Sequence, residues 1–281
     1  MGHGKLKKFA ENETFRCLLQ PDASSVLAKP EGSRELVLRD HAIKGNWNRD
    51  MFEKPQPIVL ELGCGKGDYT IALARRHPEM NFIGVDIKGA RLWKGAKYAT
   101  EHALSNVAFL RTRVEFISAF FAPGEVSEVW LTFSDPQYRS ENSRLCSPLF
   151  LERYRGFLRP GGIVHLKTDS RFLHEYARAV CAANGLQVLA CTNDLYASKD
   201  SIQPVVREVK TFYENLFLQQ GYPITYLSFV IDHDGPFVSP RDPEEFDTKK
   251  WREAEGPRLL FGHDSAETRR QKLRAAKEES L

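Results

Sequence analysis

Pro57 to Arg91 reads PIVLELGCGKGDYTIALARRHPEMNFIGVDIKGAR, and this stretch decides the fold. It holds a strand, a glycine-rich turn, a helix and a second strand that ends in an acid. Ile58-Val59-Leu60 is the continuous apolar run of a parallel strand buried on both faces. Gly63, Gly65 and Gly67 come next, where the backbone must turn sharply and can approach a ligand more closely than a Cβ would allow. Thr70 to Arg76 supplies helix, and Asn81 to Val85 a second strand closing on Asp86. That acid stands roughly twenty residues beyond the glycines, where α/β nucleotide-binding units set a carboxylate against ribose hydroxyls.

The glycine spacing separates the nucleotide cofactors. A dinucleotide site needs G-x-G-x-x-G so that a pyrophosphate rests on the helix N-terminus, but Glu61 to Gly67 gives E-x-G-x-G-x-G. A nicotinamide-dependent dehydrogenase is therefore the weaker reading. Glu61, at the carboxyl end of the first strand, is awkward beside a pyrophosphate and well matched to a cationic ligand such as S-adenosylmethionine, with its amino group and sulfonium. The alternative is that the glycines only close a tight turn; Glu61 and Asp86 together favour a methyl-donor site.

Outward from this unit the pattern continues. Strands are expected near 57–63, 81–86, 107–112, 128–134 and 162–168, with helices near 67–77, 88–104, 114–121, 146–158 and 170–184. Weaker signals predict a strand near 187–192, a helix at 207–220 and a last strand over 224–231. The alternation predicts an α/β Rossmann-like fold: a seven-stranded, mostly parallel sheet with helices on both faces. Residues 1–55 read as a polar N-terminal arm without sustained periodicity, 56–231 as the catalytic domain, and 232–281 as a charged, partly disordered C-terminal extension in which Arg269 to Lys277 suggests a short basic helix.

Composition sets broad limits. The chain has 281 residues, 42% of them hydrophobic, enough for a sizeable core. No apolar run approaches the roughly 18 residues of a membrane span, and the first residues lack a signal peptide's apolar stretch, so a cytoplasmic protein is expected. Five scattered cysteines without C-x-x-C spacing argue for reduced thiols and against a metal site. A net charge of +3 leaves any polyanion binding to local patches.

In an open parallel sheet, ligands bind outside the carboxyl ends of the strands. Trp130 to Arg139, WLTFSDPQYR, ends the fourth strand with Asp135 before a proline, which biases the acid to extended backbone and aims it. Phe133 or Tyr138 could stack on a base there. As a plain Asp-Pro pair, the same residues only start a turn. Lys167-Thr168-Asp169 closes the fifth strand at the same rim, although Asp169 also fits a helix cap. Thr211-Phe212-Tyr213-Glu214, taken alone, reads as an amphipathic helix with its aromatics in the core.

Taken together, ELGCGKG, NFIGVDIKGAR, NVAFLR, VWLTFSDPQYR, FLERYRGFLRPGG, HLKTD and TFYENLFLQQGYPI resemble, in order, the bacterial tRNA (guanine-N7)-methyltransferases, a class I S-adenosylmethionine-dependent family. The resemblance spans roughly Pro57 to Leu227. It implies transfer of a methyl group to N7 of a variable-loop guanine in tRNA. It further implies that Glu61, Gly63, Gly65, Asp86, the Arg113 position and Asp135 form the cofactor site, with Asp135 catalytic. Arg139, Asp169, Thr211, Phe212, Tyr213 and Glu214 would contact tRNA. Two positions depart from the family pattern. D-P-W-P-K becomes Asp135-Pro136-Gln137-Tyr138-Arg139, which keeps the charge but changes its geometry, and an adenosine-holding Asp or Asn becomes Arg113.

The residues also suggest a phosphate-binding footprint of Lys5, Lys7, Lys8, Lys88, Arg91, Lys94, Arg139, Arg144 and Lys167 around the rim. Neither a membrane nor an obligate protein partner is indicated. The alternatives are methyl transfer to another RNA or a small-molecule nitrogen, and a non-catalytic RNA-binding subunit. Intact Glu61, Asp86 and Asp135 argue against the last.

Overall fold

The structure is a computed structural model describing residues 3–32, 35–199, 202–240 and 246–255. The first segment carries helix α1 (His3–Asn12), strands β1 (Leu18–Leu19), β2 (Leu27–Ala28) and β3 (Val37–Leu38), and the single turn α2 (Trp47–Asp50). Then come β4 (Ile58–Leu62), α3 (Asp68–Arg76), β5 (Asn81–Asp86), α4 (Gly89–Glu101), β6 (Val107–Arg111), β7 (Val126–Thr132), α5 (Pro148–Arg155), β8 (Leu158–Thr168), α6 (Arg171–Ala183) and β9 (Val188–Thr192). Helices α7 (Pro204–Glu208) and α8 (Phe212–Gln219) lead into β10 (Thr225–Val230). All of these belong to a compact unit ending at Phe246; a separate unit from Asp247 contains α9 (Thr248–Glu255). The basic stretch Arg269 to Lys277 lies outside the described residues.

The main sheet runs β1-β6-β5-β4-β7-β8-β10-β9. Pairing is parallel from β1 to β8, while β10 lies antiparallel between β8 and β9. Strand order reverses between β4 and β7, and such a switch opens a crevice outside the carboxyl ends of those two strands. Glu61 pairs with Trp130 across this junction, so the ends of both strands face the same crevice.

Alternation along each strand sends side chains into two cores. On one face Leu60, Leu62, Ile83, Val85 and Leu131 pack with Trp47, Phe121 and Tyr154; on the other Val59, Phe82, Phe109 and Trp130 pack with Tyr69, Leu73 and Leu92. Phe109 explains several glycines at once. A Cβ on Gly67, Gly84 or Gly95 would stand 2.5, 2.9 or 2.6 Å from its ring, so the phenyl group fills a socket between the glycine turn, β5 and α4.

All seven expected strands form, and an eighth joins them. The two residues of β1 pair with β6 at the sheet edge, where Phe109 N–H donates to Cys17 O at 2.7 Å. The polar-looking first segment also contributes Val26, Ile43, Trp47 and Phe52 to the core; Trp47 is fully buried, its indole N–H donating to Phe120 O at 2.8 Å. The helices differ more from expectation. Residues 114–119 form a 3₁₀ turn, and α5 starts late because Pro148 follows the N-cap Ser147. The single helix expected at 207–220 is two, broken where Val209 turns extended and Thr211 caps α8. Strand β8 begins at Leu158, ahead of the strand expected from 162, and the pairing bulges there: Val126 pairs with Leu158 but Glu128 with Ile163.

Candidate functional site

The glycine turn is pinned to the second strand. Gly63 and Cys64 N–H groups both donate to Val85 O, at 2.8 and 3.0 Å. Gly65 N–H donates to one Asp86 carboxylate oxygen at 3.0 Å and Lys88 N–H to the other at 2.7 Å. Asp86 thus joins the turn to the start of α4, and each of its oxygens keeps a lone pair for a further donor. Gly63 and Gly65 have φ of +79° and +58°, and an added Cβ on either meets no atom within 4 Å. Side chains there would project into open space, the cradle that a cofactor's close approach requires.

Glu61 lies beneath the turn, nearly buried. Its Oε2 accepts from Thr70 N–H at 2.8 Å and from the Thr70 hydroxyl, and Oε1 accepts from Thr132 Oγ1 at 2.5 Å. Burial pushes this carboxyl up to about 7, against the hydrogen bonds from Thr132 and Thr70 that favour its charge. A cation placed nearby would restore full ionisation. Thr70 and Thr132 hold Glu61 yet carry no recognisable sequence signal.

Beyond β7 the backbone is strained. Phe133 and Gln137 have φ of +51° and +49°, a left-handed conformation costing non-glycine residues about 1–3 kcal/mol each. Phe133 N–H is held by Lys167 O at 2.9 Å and Gln137 N–H by Asp135 Oδ1 at 2.9 Å. Between these two residues the exposed Asp135 is presented at the rim, and the Ser134 hydroxyl is buried without a partner. Tyr138 stacks on Phe172 with centroids 4.8 Å apart, while Phe133 stacks on Phe217 of α8 at 6.2 Å.

One cleft joins these parts. Glu61, Gly63, Gly65, Lys66, Tyr69, Arg91, Thr132, Phe133, Thr211 and Phe212 all line it. Phe212 is 60% exposed at its mouth, with Lys66 Nζ 5.8 Å from its ring centre, so this aromatic is not in the core. Thr211 and Glu214 form a reciprocal capping box at the start of α8. The Tyr213 side chain lies outside the described residues. Asp135, Arg139 and Asp86 are not among the cleft-lining residues; the first two are exposed and Asp86 is buried, accepting the Gly65 N–H of the turn.

Other expected positions lie elsewhere. The Arg113 guanidinium pairs with Glu115 at 3.3 Å and lies over Phe116, so only its backbone follows β6 toward the rim. Asp169 is half-buried, and the cap of α6 is Ser170, whose hydroxyl accepts from Leu173 N–H. Two members of the basic footprint are interior. Arg144 is 4% exposed, stacked on Phe172 and Tyr176, and Lys167 is wholly buried against Glu214 at 2.8 Å. Lys94 pairs with Asp68 at 3.1 Å. Lys7, Lys88 and Arg139 remain exposed. All five cysteines are free thiols, and no described helix is long and apolar enough to cross a membrane.

The family model described as "Putative methyltransferase" matches residues 55–227. The tRNA (guanine-N(7)-)-methyltransferase of Christiangramia forsetii is 47% identical, covering 81% of this chain and 97% of the relative. That of Bacteroides fragilis is 44% identical, covering 88% and 94%. Among solved structures, the 16S rRNA methyltransferase KamB superposes with a TM-score of 0.51 at 17% identity, covering 71% of this chain and 97% of that one, which bears on the fold alone. The sheet order, the glycine cradle and these relatives agree: the chain belongs to the tRNA (guanine-N(7)-)-methyltransferase family.

Proposed function

We propose that this protein transfers a methyl group from S-adenosylmethionine to N7 of a variable-loop guanine in tRNA, forming 7-methylguanosine. The observation that carries this reading is the single cleft uniting the glycine turn, the end of β7 and the start of α8. A cofactor half and a substrate half share one cavity. The names of the relatives supply the target atom and the RNA.

S-adenosylmethionine, when bound, supplies an electrophilic methyl group on a sulfonium. The open cradle at Gly63 and Gly65 fits its close approach, and Asp86 has acceptor capacity for ribose hydroxyls. Glu61 supplies negative potential to the cationic end through the floor of the cleft, and the Arg113 position contributes backbone beside the adenosine. Guanine N7 carries an in-plane lone pair and no proton, so direct displacement needs no general base and positioning supplies most of the catalysis. Asp135 holds the guanine edge and favours the positive charge that develops on the base. Phe212 offers an exposed ring for stacking at the mouth, with Thr211 beside it; Arg139 meets phosphate, and Asp169 and the Tyr213 position contact the same RNA. Glu214 acts from beneath this surface. The family activity and the absence of an apolar spanning helix among the described residues fit action on tRNA in the cytoplasm. Residues 1–55 serve as an arm, 56–231 as the catalytic domain and 232–281 as an extension. The test is transfer of labelled methyl to tRNA lacking 7-methylguanosine, followed by nucleoside analysis.

A further inference from the structure

Lys167 stands at the end of β8, fully buried, and reaches both segments that flank the cleft. Its carbonyl accepts the N–H of Phe133, at the left-handed step before Asp135. Its ammonium contacts Glu214 Oε1 at 2.8 Å and donates to the carbonyls of Val206 and Val209, at 2.7 and 2.8 Å, where α7 ends. Glu214 in turn accepts the Tyr196 hydroxyl at 2.5 Å and closes the cap on Thr211. The ammonium's three donors have three acceptors, which is complete satisfaction for a buried lysine.

A buried ion pair is a poor source of net stability, because the Coulombic gain barely offsets desolvation. Its value lies in fixing one geometry. Here the geometry is the start of α8, which presents Thr211 and Phe212 to the cleft and braces Phe133 through Phe217. We infer that Lys167 is a positioning residue for RNA: through Glu214 it sets Thr211 and Phe212 where the substrate base enters, leaving the glycine cradle to hold the cofactor independently. This rests on the tRNA-methylating function proposed above.

The titration of Lys167 gives a second handle. Burial lowers its ammonium to about 8, opposed by Glu214, with Lys210 adding a smaller lowering effect. The groups facing it are Glu214 of α8, the Tyr69 ring of α3 at 5.4 Å and, through Glu214, Tyr196, whose hydroxyl is raised by burial and by that carboxylate. Loss of the proton removes the pair, so substrate positioning weakens as pH rises past about 8.

The experiment measures kcat and KM for tRNA from pH 6.5 to 9.5, S-adenosylhomocysteine affinity and melting temperature for wild type, Lys167→Met and the milder Tyr196→Phe. The expected result for Lys167→Met is a KM for tRNA raised roughly ten- to a hundredfold with cofactor affinity unchanged. Tyr196→Phe shifts KM in the same direction by less, and carries the test alone if Lys167→Met does not fold. Wild-type KM climbs above about pH 8, and the climb is absent from Lys167→Met. An unchanged KM with a lowered melting temperature, or equal losses in tRNA and cofactor binding, overturns the inference and makes the pair merely structural. Wild type that forms no 7-methylguanosine in tRNA instead overturns the functional reading on which it rests.

Discussion

Thr132 Oγ1 donates to Glu61 Oε1 at 2.5 Å, joining β7 to β4 across the point where strand order reverses. The carboxyl so held is pushed up to about 7 by burial, from an ordinary 4.5. Because the folded value is the higher one, protonation favours the folded state: this contribution is full below about 4.5 and is lost as pH rises through about 7. A cationic ligand favours the opposite, ionised form. S-adenosylmethionine binding near pH 7 is therefore expected to release protons, measured by calorimetry in buffers of different ionisation enthalpy. The release should disappear in Glu61→Gln; its absence from wild type would show that the ligand does not engage this carboxylate.

The glycines of the turn divide by what surrounds them. Gly67→Ala drives a Cβ to 2.5 Å from Phe109 at a φ of +74°, so the variant should lose about 1–3 kcal/mol from overpacking, with left-handed strain added. Gly63→Ala meets no atom within 4 Å. It should unfold at nearly the wild-type denaturant concentration, less the cost of its backbone angle, while binding S-adenosylhomocysteine much more weakly. Equal cofactor affinity in Gly63→Ala and wild type would argue that the cradle is not a ligand surface.

Two arginines close in sequence should behave differently. Arg139 is exposed at the rim and Arg144 is buried between aromatic rings. Arg139→Ala should weaken tRNA binding and reduce the slope of log affinity against log salt by about 1. Arg144→Ala should lower the melting temperature and leave that slope intact. The reverse pattern, read by filter binding across a salt series, would place the phosphate contact on the wrong arginine.

Trp47 tests how far the first segment belongs to the core. Its ring stacks on Phe121 with centroids 5.3 Å apart, and its N–H is satisfied by Phe120 O. Truncation to alanine should cost about 3–5 kcal/mol in chemical denaturation. A loss near zero would mean that the segment merely lies on the surface.

The sheet was legible because β4, β5, β6, β7 and β8 are apolar runs between turn residues, each long enough to carry its own signal. β1 was not: two residues have no period, and that strand exists only because Cys17 finds the edge of β6. The break before α8 has a readable sign, since Thr211-x-x-Glu214 is a capping box, but the stretch 207–220 reads as one amphipathic helix. The glycine turn between β4 and α3 followed from the glycine spacing, which acts locally. The interior positions of Lys167 and Arg144 did not, because a basic residue reads as surface until its partner is known. For Lys167 that partner is Glu214, on a helix well beyond it in the chain. Phe212 failed in the opposite sense: an aromatic that looks like core stands exposed at the mouth of the cleft.

The most direct measurement is transfer of labelled methyl from S-adenosylmethionine to tRNA lacking 7-methylguanosine, with wild type and Asp135→Ala in parallel. The account predicts 7-methylguanosine from wild type, and a kcat for Asp135→Ala lowered by roughly two orders of magnitude or more as transition-state stabilisation is lost. No methylation by a wild-type protein that demonstrably binds S-adenosylhomocysteine would contradict the account, and full activity in Asp135→Ala would remove that carboxylate from its chemistry.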